Sequence, residues 1–279
     1  MKNLKKILQE SNDSIIAPGI YDALTAKLAE KKAFKLLWVS GFSVSASLFL
    51  PDNNSISIEK YIERISEIKK AINIPIIVDC DEGFGTIEQS IKLFTACQNI
   101  NVECCCIEDN IFPKINSFLQ ENKQQKKILD KKSFSKKLRI LKDLFPEIIL
   151  IARTESLIAG ESLQEAIDRA RLYKKNGADL IVIHSKSKDL VDFDVISKAY
   201  GKPEELVVIP TLAYNLSPSD FKKLGFKIII YANQVIRSNI ATTNTILNLI
   251  NDEENINKLN DIGISMDYIF NLTKEKTHV

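Results

Sequence analysis

This chain has no apolar run near the ~18 residues that a membrane-spanning helix needs, so none is expected to cross a bilayer. Nor does it have an excess of either charge. Its 38 Lys and Arg stand against 36 Asp and Glu, a net +2. A balance so near neutral provides no field for nucleic acid or an anionic membrane. Residues 1–13 are polar and amphipathic, without the apolar core of a signal peptide. No Gly-x-Gly-x-x-Gly follows the first expected strand, which argues against a dinucleotide fold. There is no internal repeat and no low-complexity linker. A disulfide framework is lacking too. The cysteines are Cys80, Cys97, Cys104, Cys105 and Cys106, an odd count with three in a row inside an apolar run. Three adjacent cysteines on a strand point to alternate faces and cannot build one tetrahedral zinc site. They are expected to be buried, reduced thiols of a cytoplasmic protein.

What is present is a rhythm. The chain has 279 residues, 45% hydrophobic and 27% charged. That length fits two domains of ~150 residues or one α/β barrel. Short, continuous aliphatic runs recur at 15–18, 36–40, 74–79, 104–108, 148–153, 180–184, 206–210 and 228–231. Continuity without alternation marks strands buried on both faces. Helical spacing fills segments between them: 23–31, 58–72, 87–97, 162–176 and 217–224, then 233–250 and 253–274. Ser217-Pro218-Ser219-Asp220 is a helix start, with serine as N-cap and proline at the first helical position. Gly177 and Gly225 stand where helices should stop. Eight strands alternating with helices predict an α/β fold, a (β/α)8 TIM-like barrel; a doubly wound open sheet is the alternative. The expectation is a single barrel domain over 1–279. It carries a loop at about 110–132, too long for an ordinary connection, and a C-terminal helical extension at about 233–275.

In a barrel the active site lies at the carboxyl ends of the strands. There the sequence places Trp38, Ser40 and Gly41, then Asp79, Asp81 and Glu82, then Glu108 and Asp109. Strand five ends in Arg153 and Glu155, and strand six in His184, Ser185 and Lys186. Any one of these has an ordinary structural explanation as a cap or a paired charge. Their coincidence at one end is informative, since the amino ends carry no match. Asp79, Asp81 and Glu108 are hard oxygen ligands suited to Mg²⁺, with Mn²⁺ possible. Arg153, His184 and Lys114 would stand around the same mouth as cations. A metal together with cations suits a small anionic substrate bearing carboxylate and phosphate-like groups.

At these residues the chain resembles the phosphoenolpyruvate mutase family, within the isocitrate lyase and phosphoenolpyruvate mutase superfamily. The resemblance runs from Ala17 to about Ser238. It rests on Trp38–Ala46, Asp79–Gly85, Glu108–Ser117, Ala152–Gly160, His184-Ser185-Lys186 and Tyr231-Ala232-Asn233 with Arg237. The family's Glu-Asp-Lys-five-residues-Asn-Ser marker stands here as Glu108-Asp109-Asn110, then five residues, then Asn116-Ser117. The resemblance implies Mg²⁺ held at Asp79, with Asp81 and Glu108 contributing largely through water. It implies a substrate site lined by Trp38, Ser40, Gly41, Phe42 and Ser117. Arg153 and His184 would bind the substrate's phosphoryl and carboxylate ends. Asp52 would be the nucleophile or the carboxylate that orients a metaphosphate-like group. Lys114 and Asn116 would lie on a gating loop. The activity implied is interconversion of phosphoenolpyruvate and phosphonopyruvate, the first step of phosphonate biosynthesis. A phosphonopyruvate decarboxylase or aminotransferase would then draw product away. A homotetramer built as a dimer of dimers is also implied, with the last barrel helix swapped between subunits.

Four departures, one of them Leu212-Ala213 after Thr211, and three rivals complete the reading. Asn110 replaces the usual lysine, Glu82 the usual threonine, and Phe42 the common leucine. Glu82 adds a carboxylate beside the metal ligands and is expected to tighten metal binding or change its preference. Phosphonopyruvate hydrolase shares the barrel and delivers the phosphoryl group to water, but departs from the Asn-Ser pattern kept here. Carbon–carbon lyases such as methylisocitrate lyase carry Lys-Lys-Cys-Gly-His on the lid, which this chain does not have. A non-catalytic scaffold or metabolite-sensing barrel is the remaining class.

Overall fold

The computed structural model describes residues 4–11, 13–118, 127–252 and 255–274. The chain opens with α1 (Leu4–Glu10), β1 (Ile15–Ile20), α2 (Ala23–Lys31), β2 (Leu37–Val39), α3 (Gly41–Ser47) and α4 (Ile58–Ala71). It continues with β3 (Ile76–Asp79), α5 (Ile87–Asn99), β4 (Cys104–Glu108), α6 (Lys131–Leu144), β5 (Ile149–Thr154) and α7 (Leu163–Lys175). Then come β6 (Leu180–Ile183), α8 (Leu190–Tyr200), β7 (Leu206–Val208), α9 (Pro218–Lys223) and β8 (Ile228–Tyr231). Last are α10 (Gln234–Ile250), α11 (Leu259–Ile262) and α12 (Met266–Lys274).

The eight strands close in sequence order into one parallel barrel. Each expected run became a strand, within two residues at either end. Most of the barrel helices start on a side-chain cap and turn an apolar face inward. Ser57 caps α4 by accepting from the Lys60 amide, and Ile58, Tyr61, Ile65 and Ile68 recur along one buried face. The Ser217 start is a full capping box with Asp220. Three helices beyond the sequence reading appear at α3, α6 and α8. A fourth, α1, comes from the polar amino terminus: Leu4 is 1% exposed and joins Ile15, Leu36, Ile149, Leu180 and Ile228 in the core. Those are strand-start residues, so α1 covers the amino end of the barrel.

All five cysteines are buried free thiols. Cys104 and Cys106 lie in the interior cluster with Trp38 and Ile151. Burial raises the Cys105 thiol pKa well above its ordinary value; a side-chain hydrogen bond with Cys80 also raises it, while one with Cys97 lowers it. Gly19 allows the closure between β1 and β8, because a Cβ there would lie 2.1 Å from the Ala232 carbonyl oxygen.

The chain divides into two compact units, Met1–Gln234 and Val235–Val279. The barrel belongs to the first. In the second, the expected helix over 253–274 is broken. Its first two residues lie outside the described ones, and Ile256–Lys258 is a 3₁₀ turn before the short α11. Gly263, Ile264 and Ser265 interrupt the path, and α12 starts afresh. The Gly263 backbone is extended, with φ −72° and ψ 152°, which no helix accommodates. Among the described residues no helix is long and apolar enough to cross a membrane.

Candidate active site at the carboxyl mouth of the barrel

Pairing register decides which strand-end side chains stand together. Glu108 at the end of β4 lies directly beside Arg153 of β5. Asp79 of β3 lies beside Cys106. The Glu108 amide bonds to the Asp81 carbonyl at 2.8 Å, which draws the segment after β3 toward the end of β4. Asp81 takes a left-handed backbone with φ +46° to make that turn.

Three carboxylates and two loops then meet at one corner. The Gly41 amide donates to Asp79 Oδ2 at 3.3 Å. A Cβ built on Gly41 would lie 3.4 Å from Asp81 Oδ1 and 3.5 Å from Asp79 Oδ2, so both carboxylates face the same small space above this glycine. Lys114, from the loop after β4, enters that space. Its Nζ lies 2.6 Å from Asp81 Oδ1 and 2.7 Å from Asp52 Oδ1. Burial alone would favour the neutral amine, but Asp81 and Asp52 outweigh it and hold the ammonium charged. Burial pushes the Asp79 carboxyl up to about 6, against the pull of Lys114 and Arg153. Asp81 is also pushed up by burial, opposed by Lys114.

The departing residues fall in the same corner. Asn110 donates through Nδ2 to Glu108 Oε1, so its amide supplies a donor where a lysine would supply a cation. Its Oδ1 is buried without a hydrogen-bond partner. Glu82 is 1% exposed. Its Oε2 accepts from Asn54 Nδ2 at 3.2 Å, and its Oε1 is buried without a partner. Burial raises its pKa, and the nearby Glu108 charge adds to the rise.

A second corner lies across β5 and β6. Arg153 Nε is 3.2 Å from Glu108 Oε2, and its Nη2 is 2.5 Å from Glu155 Oε1. His184 Nδ1 is 2.5 Å from the same Glu155 oxygen and 2.8 Å from Arg153 Nη2. With a carboxylate that close, Nδ1 carries the proton and donates it to Glu155. Ser117 Oγ, on the loop, donates to Glu155 Oε2 at 2.6 Å. Phe118 stands edge-on to His184, with centroids 6.0 Å apart, and Lys186 Nζ lies 5.5 Å from the Phe118 ring centre.

The loop therefore reaches both corners. Asn116 Nδ2 donates to Asp52 Oδ2 at 2.5 Å, and its own Oδ1 accepts from the Phe118 amide. Asn54 accepts from the Lys114 amide at 2.7 Å. The loop's roots are held as well. Leu129 donates its amide to the Asp109 carbonyl, and its carbonyl accepts from Arg169 Nη1 at 2.8 Å. The Asp109 side chain, fully buried, accepts from Thr154, Tyr173 and the Glu155 amide. Burial still pushes its carboxyl up to about 6, although those donors oppose it. Residues 119–126 of the expected 110–132 loop lie outside the described ones, and α6 begins at Lys131.

Asp52, Asp79, Asp81, Glu108, Lys114, Asn116, Ser117, Arg153 and His184 thus share one mouth. The remaining site candidates lie at its β2 side. Ser40 caps α3 through the Ser43 amide, and Phe42 is half-buried. Trp38 packs in the barrel interior with its indole Nε1 lacking a hydrogen-bond partner. Glu155 and Asn54 were not among the candidates. Glu155 showed itself only as a strand-end acid, and nothing near Asn54 signals its contact 60 residues away. An open cavity of about 410 Å³ lies over Leu157, Ser185 and Lys186, beside this mouth rather than over its carboxylates.

The donor set suits a hard divalent cation. Among the described residues, the cationic side chains against Asp52, Asp79, Asp81 and Glu108 are Lys114 and Arg153, and Glu82 Oε1 adds a buried oxygen with no donor. Among the described residues no three acidic, histidine or cysteine side chains converge closely enough to hold an ion unaided. An ion here would take one or two carboxylates directly and complete its shell with water, as Mg²⁺ commonly does.

Comparison with known proteins follows the same lines. The family profile of phosphoenolpyruvate phosphomutase matches residues 4–250. A phosphoenolpyruvate phosphomutase of Tetrahymena pyriformis is 28% identical over 274 residues, covering 98% of this chain and 90% of its own. A phosphonopyruvate hydrolase of Variovorax sp. (strain Pal2) is 32% identical over 235 residues, or 83% of this chain and 80% of its own. The crystal structure of a Streptomyces platensis subsp. rosaceus phosphoenolpyruvate phosphomutase superposes with a TM-score of 0.91 at 27% identity, covering 97% and 94% of the two chains. A phosphonopyruvate hydrolase solved with oxalate and Mg²⁺ gives 0.85 at 28% identity, covering 94% and 91%.

Proposed function

The chain belongs to the phosphoenolpyruvate phosphomutase family, and from that premise we propose that it interconverts phosphoenolpyruvate and phosphonopyruvate. The observation that carries this reading is the Asn116–Asp52 contact with Lys114 beside it, which brings the loop down onto the carboxylate corner. In the reaction the bond from phosphorus to the enol oxygen breaks. A bond from phosphorus to C3 of the same pyruvate skeleton forms. The transition state is loose, so the protein supplies position and charge rather than covalent chemistry.

Asp79 would hold Mg²⁺, with Asp81 and Glu108 acting on its water shell. Mg²⁺ would neutralise charge on the enolate and carboxylate oxygens. Arg153 and His184 bind the anionic ends of the substrate. Oxalate, a planar dicarboxylate resembling pyruvate enolate, should occupy the same position. Asp52 orients the transferring group and Asn116 holds Asp52. Trp38, Ser40, Gly41, Phe42 and Ser117 line the pocket. With the loop closed, water is excluded, and the phosphoryl group returns to carbon instead of being hydrolysed.

Phosphonopyruvate hydrolysis is the second reading, favoured by the 32% identity to the Variovorax enzyme. Phosphorus NMR of phosphonopyruvate with protein and Mg²⁺ separates the two. A phosphoenolpyruvate resonance is expected. Inorganic phosphate alone would replace the mutase reading with the hydrolase one, and an unchanged spectrum would remove both.

A homotetramer accompanies the proposal. Ile240, Leu247 and Ile250 on α10, with Tyr268, Ile269 and Phe270 on α12, are all exposed within their unit. Apolar surface of this kind supports a last helix packed on a second subunit. Light scattering should return the mass of four chains.

A further inference from the structure

We infer that Glu155 is a positioning residue that couples closure of the loop to the aim of Arg153 and His184. The inference rests on the substrate-binding roles proposed for those two residues. Glu155 follows β5 directly and is fully buried. Its backbone is fixed from behind, because its amide donates to Asp109 Oδ1 at 2.8 Å. Asp109 is fixed in turn by Thr154 and Tyr173 at 2.8 and 2.7 Å. The main chain of Glu155 therefore does not adjust, and only its carboxylate can.

That carboxylate divides its oxygens between two tasks. Oε1 receives Arg153 Nε and His184 Nδ1, both at 2.5 Å. Oε2 receives the hydroxyl of Ser117 at 2.6 Å. A carboxylate is planar, so the direction of one oxygen sets the direction of the other. Seating Ser117 on Oε2 turns Oε1 to a single orientation, and Arg153 and His184 follow it. A loop lifted from the mouth takes Ser117 away and leaves that orientation to water. Closing the loop thus completes the anion-binding pair as well as covering it, and a substrate that binds the pair favours the closed loop in return.

Glutamine at this position keeps the shape and removes the charge. Its single carbonyl oxygen must face the two donors, which turns its amide toward Ser117. Oxalate affinity in saturating Mg²⁺, measured by calorimetry, reads the effect without any turnover. Glu155→Gln should weaken oxalate by about tenfold or more, and Ser117→Ala by about threefold, within the range measured for coupled neighbours. Adding Ser117→Ala to Glu155→Gln should cost less than about twofold further, since the hydroxyl acts through the carboxylate. Independent, multiplying losses would overturn the inference. So would unchanged oxalate affinity in Ser117→Ala alone, which decides the matter if Glu155→Gln does not fold. Failure of oxalate to bind the unaltered protein would overturn it as well, because Arg153 and His184 would then hold no anion. A chain that releases phosphate instead of forming phosphoenolpyruvate would correct the proposed reaction and leave this coupling intact.

Discussion

The two corners of the mouth are built on opposite principles. At the ends of β3 and β4, Asp52, Asp79, Asp81 and Glu108 crowd together with Lys114 the cation at their centre. At the ends of β5 and β6, Arg153 and His184 share Glu155. The first corner holds more negative charge than its donors neutralise. The second is balanced, with a buried carboxylate serving Arg153, His184 and Ser117. An unbalanced buried cluster is costly unless a cation or protons complete it. A balanced one is rigid and waits for a ligand without needing it. The loop treats them accordingly: it sends an ammonium into the first corner and a hydroxyl into the second.

The sharpest break between the corners should come from Asp79→Asn against Arg153→Lys. The asparagine variant should lose Mg²⁺ binding and about three powers of ten in turnover, since the metal supplies several kcal/mol. Lysine at 153 should keep Mg²⁺ affinity and lose oxalate affinity by about a hundredfold, because an ammonium cannot replace the guanidinium fork. Calorimetry with each ligand checks both. If Arg153→Lys altered Mg²⁺ as strongly as Asp79→Asn, the corners would be one site.

Next in size is the loop. Asn116→Ala should slow isomerisation by about a hundredfold through lost positioning, with an unchanged melting temperature. Phosphate should appear among the products, seen by phosphorus NMR. Full activity would remove Asn116 from the mechanism.

Protons should act on the first corner through Asp79. Asp79 is held up near 6 by burial, above its ordinary value. Below pH about 6 a proton occupies the carboxylate that Mg²⁺ needs, so affinity should fall about tenfold per unit. The stability contribution has the opposite sign. Asp79 and Asp109, both near 6 when folded, bind more protons in the folded than in the unfolded state between about 4 and 6. Their contribution is full below about 4 and lost as pH rises through 6. In metal-free protein their share of the melting temperature should therefore decline over that window, and Mg²⁺ should restore the Asp79 share at neutral pH. Comparing Asp109→Asn with the unaltered protein across pH isolates the second carboxylate.

The smallest effect is expected at Glu82. Glu82→Thr should weaken Mg²⁺ or shift the Mg²⁺ to Mn²⁺ ratio by about tenfold or less, as for residues just outside a metal's ligand shell. Its Oε1 is buried without a donor, which is the state a nearby cation would relieve. Identical metal responses in the two proteins would reduce Glu82 to a partner of Asn54.

The barrel was legible because buried parallel strands leave continuous aliphatic runs, and eight such runs survive in this chain. Asp79, Asp81, Glu108, Arg153 and His184 were legible for a related reason, since strand ends of a barrel share one rim whatever the loops do. The helix breaks were harder. Gly263 lies within an amphipathic pattern, and periodicity does not register a backbone that turns extended there. The short α1 reads as polar in sequence, and Leu4, Ile7 and Leu8 against the barrel floor explain it.

What the sequence determined by itself is therefore the order of strands and the types of group on the rim, because both follow from local pattern and a topological rule. The tertiary structure alone decided who touches whom: Asn54 on Lys114, Asn110 on Glu108, and Glu155 between Ser117 and His184. Those contacts join residues on separate loops and strands. Their distances depend on strand register and loop closure together, and no spacing along the chain encodes that sum.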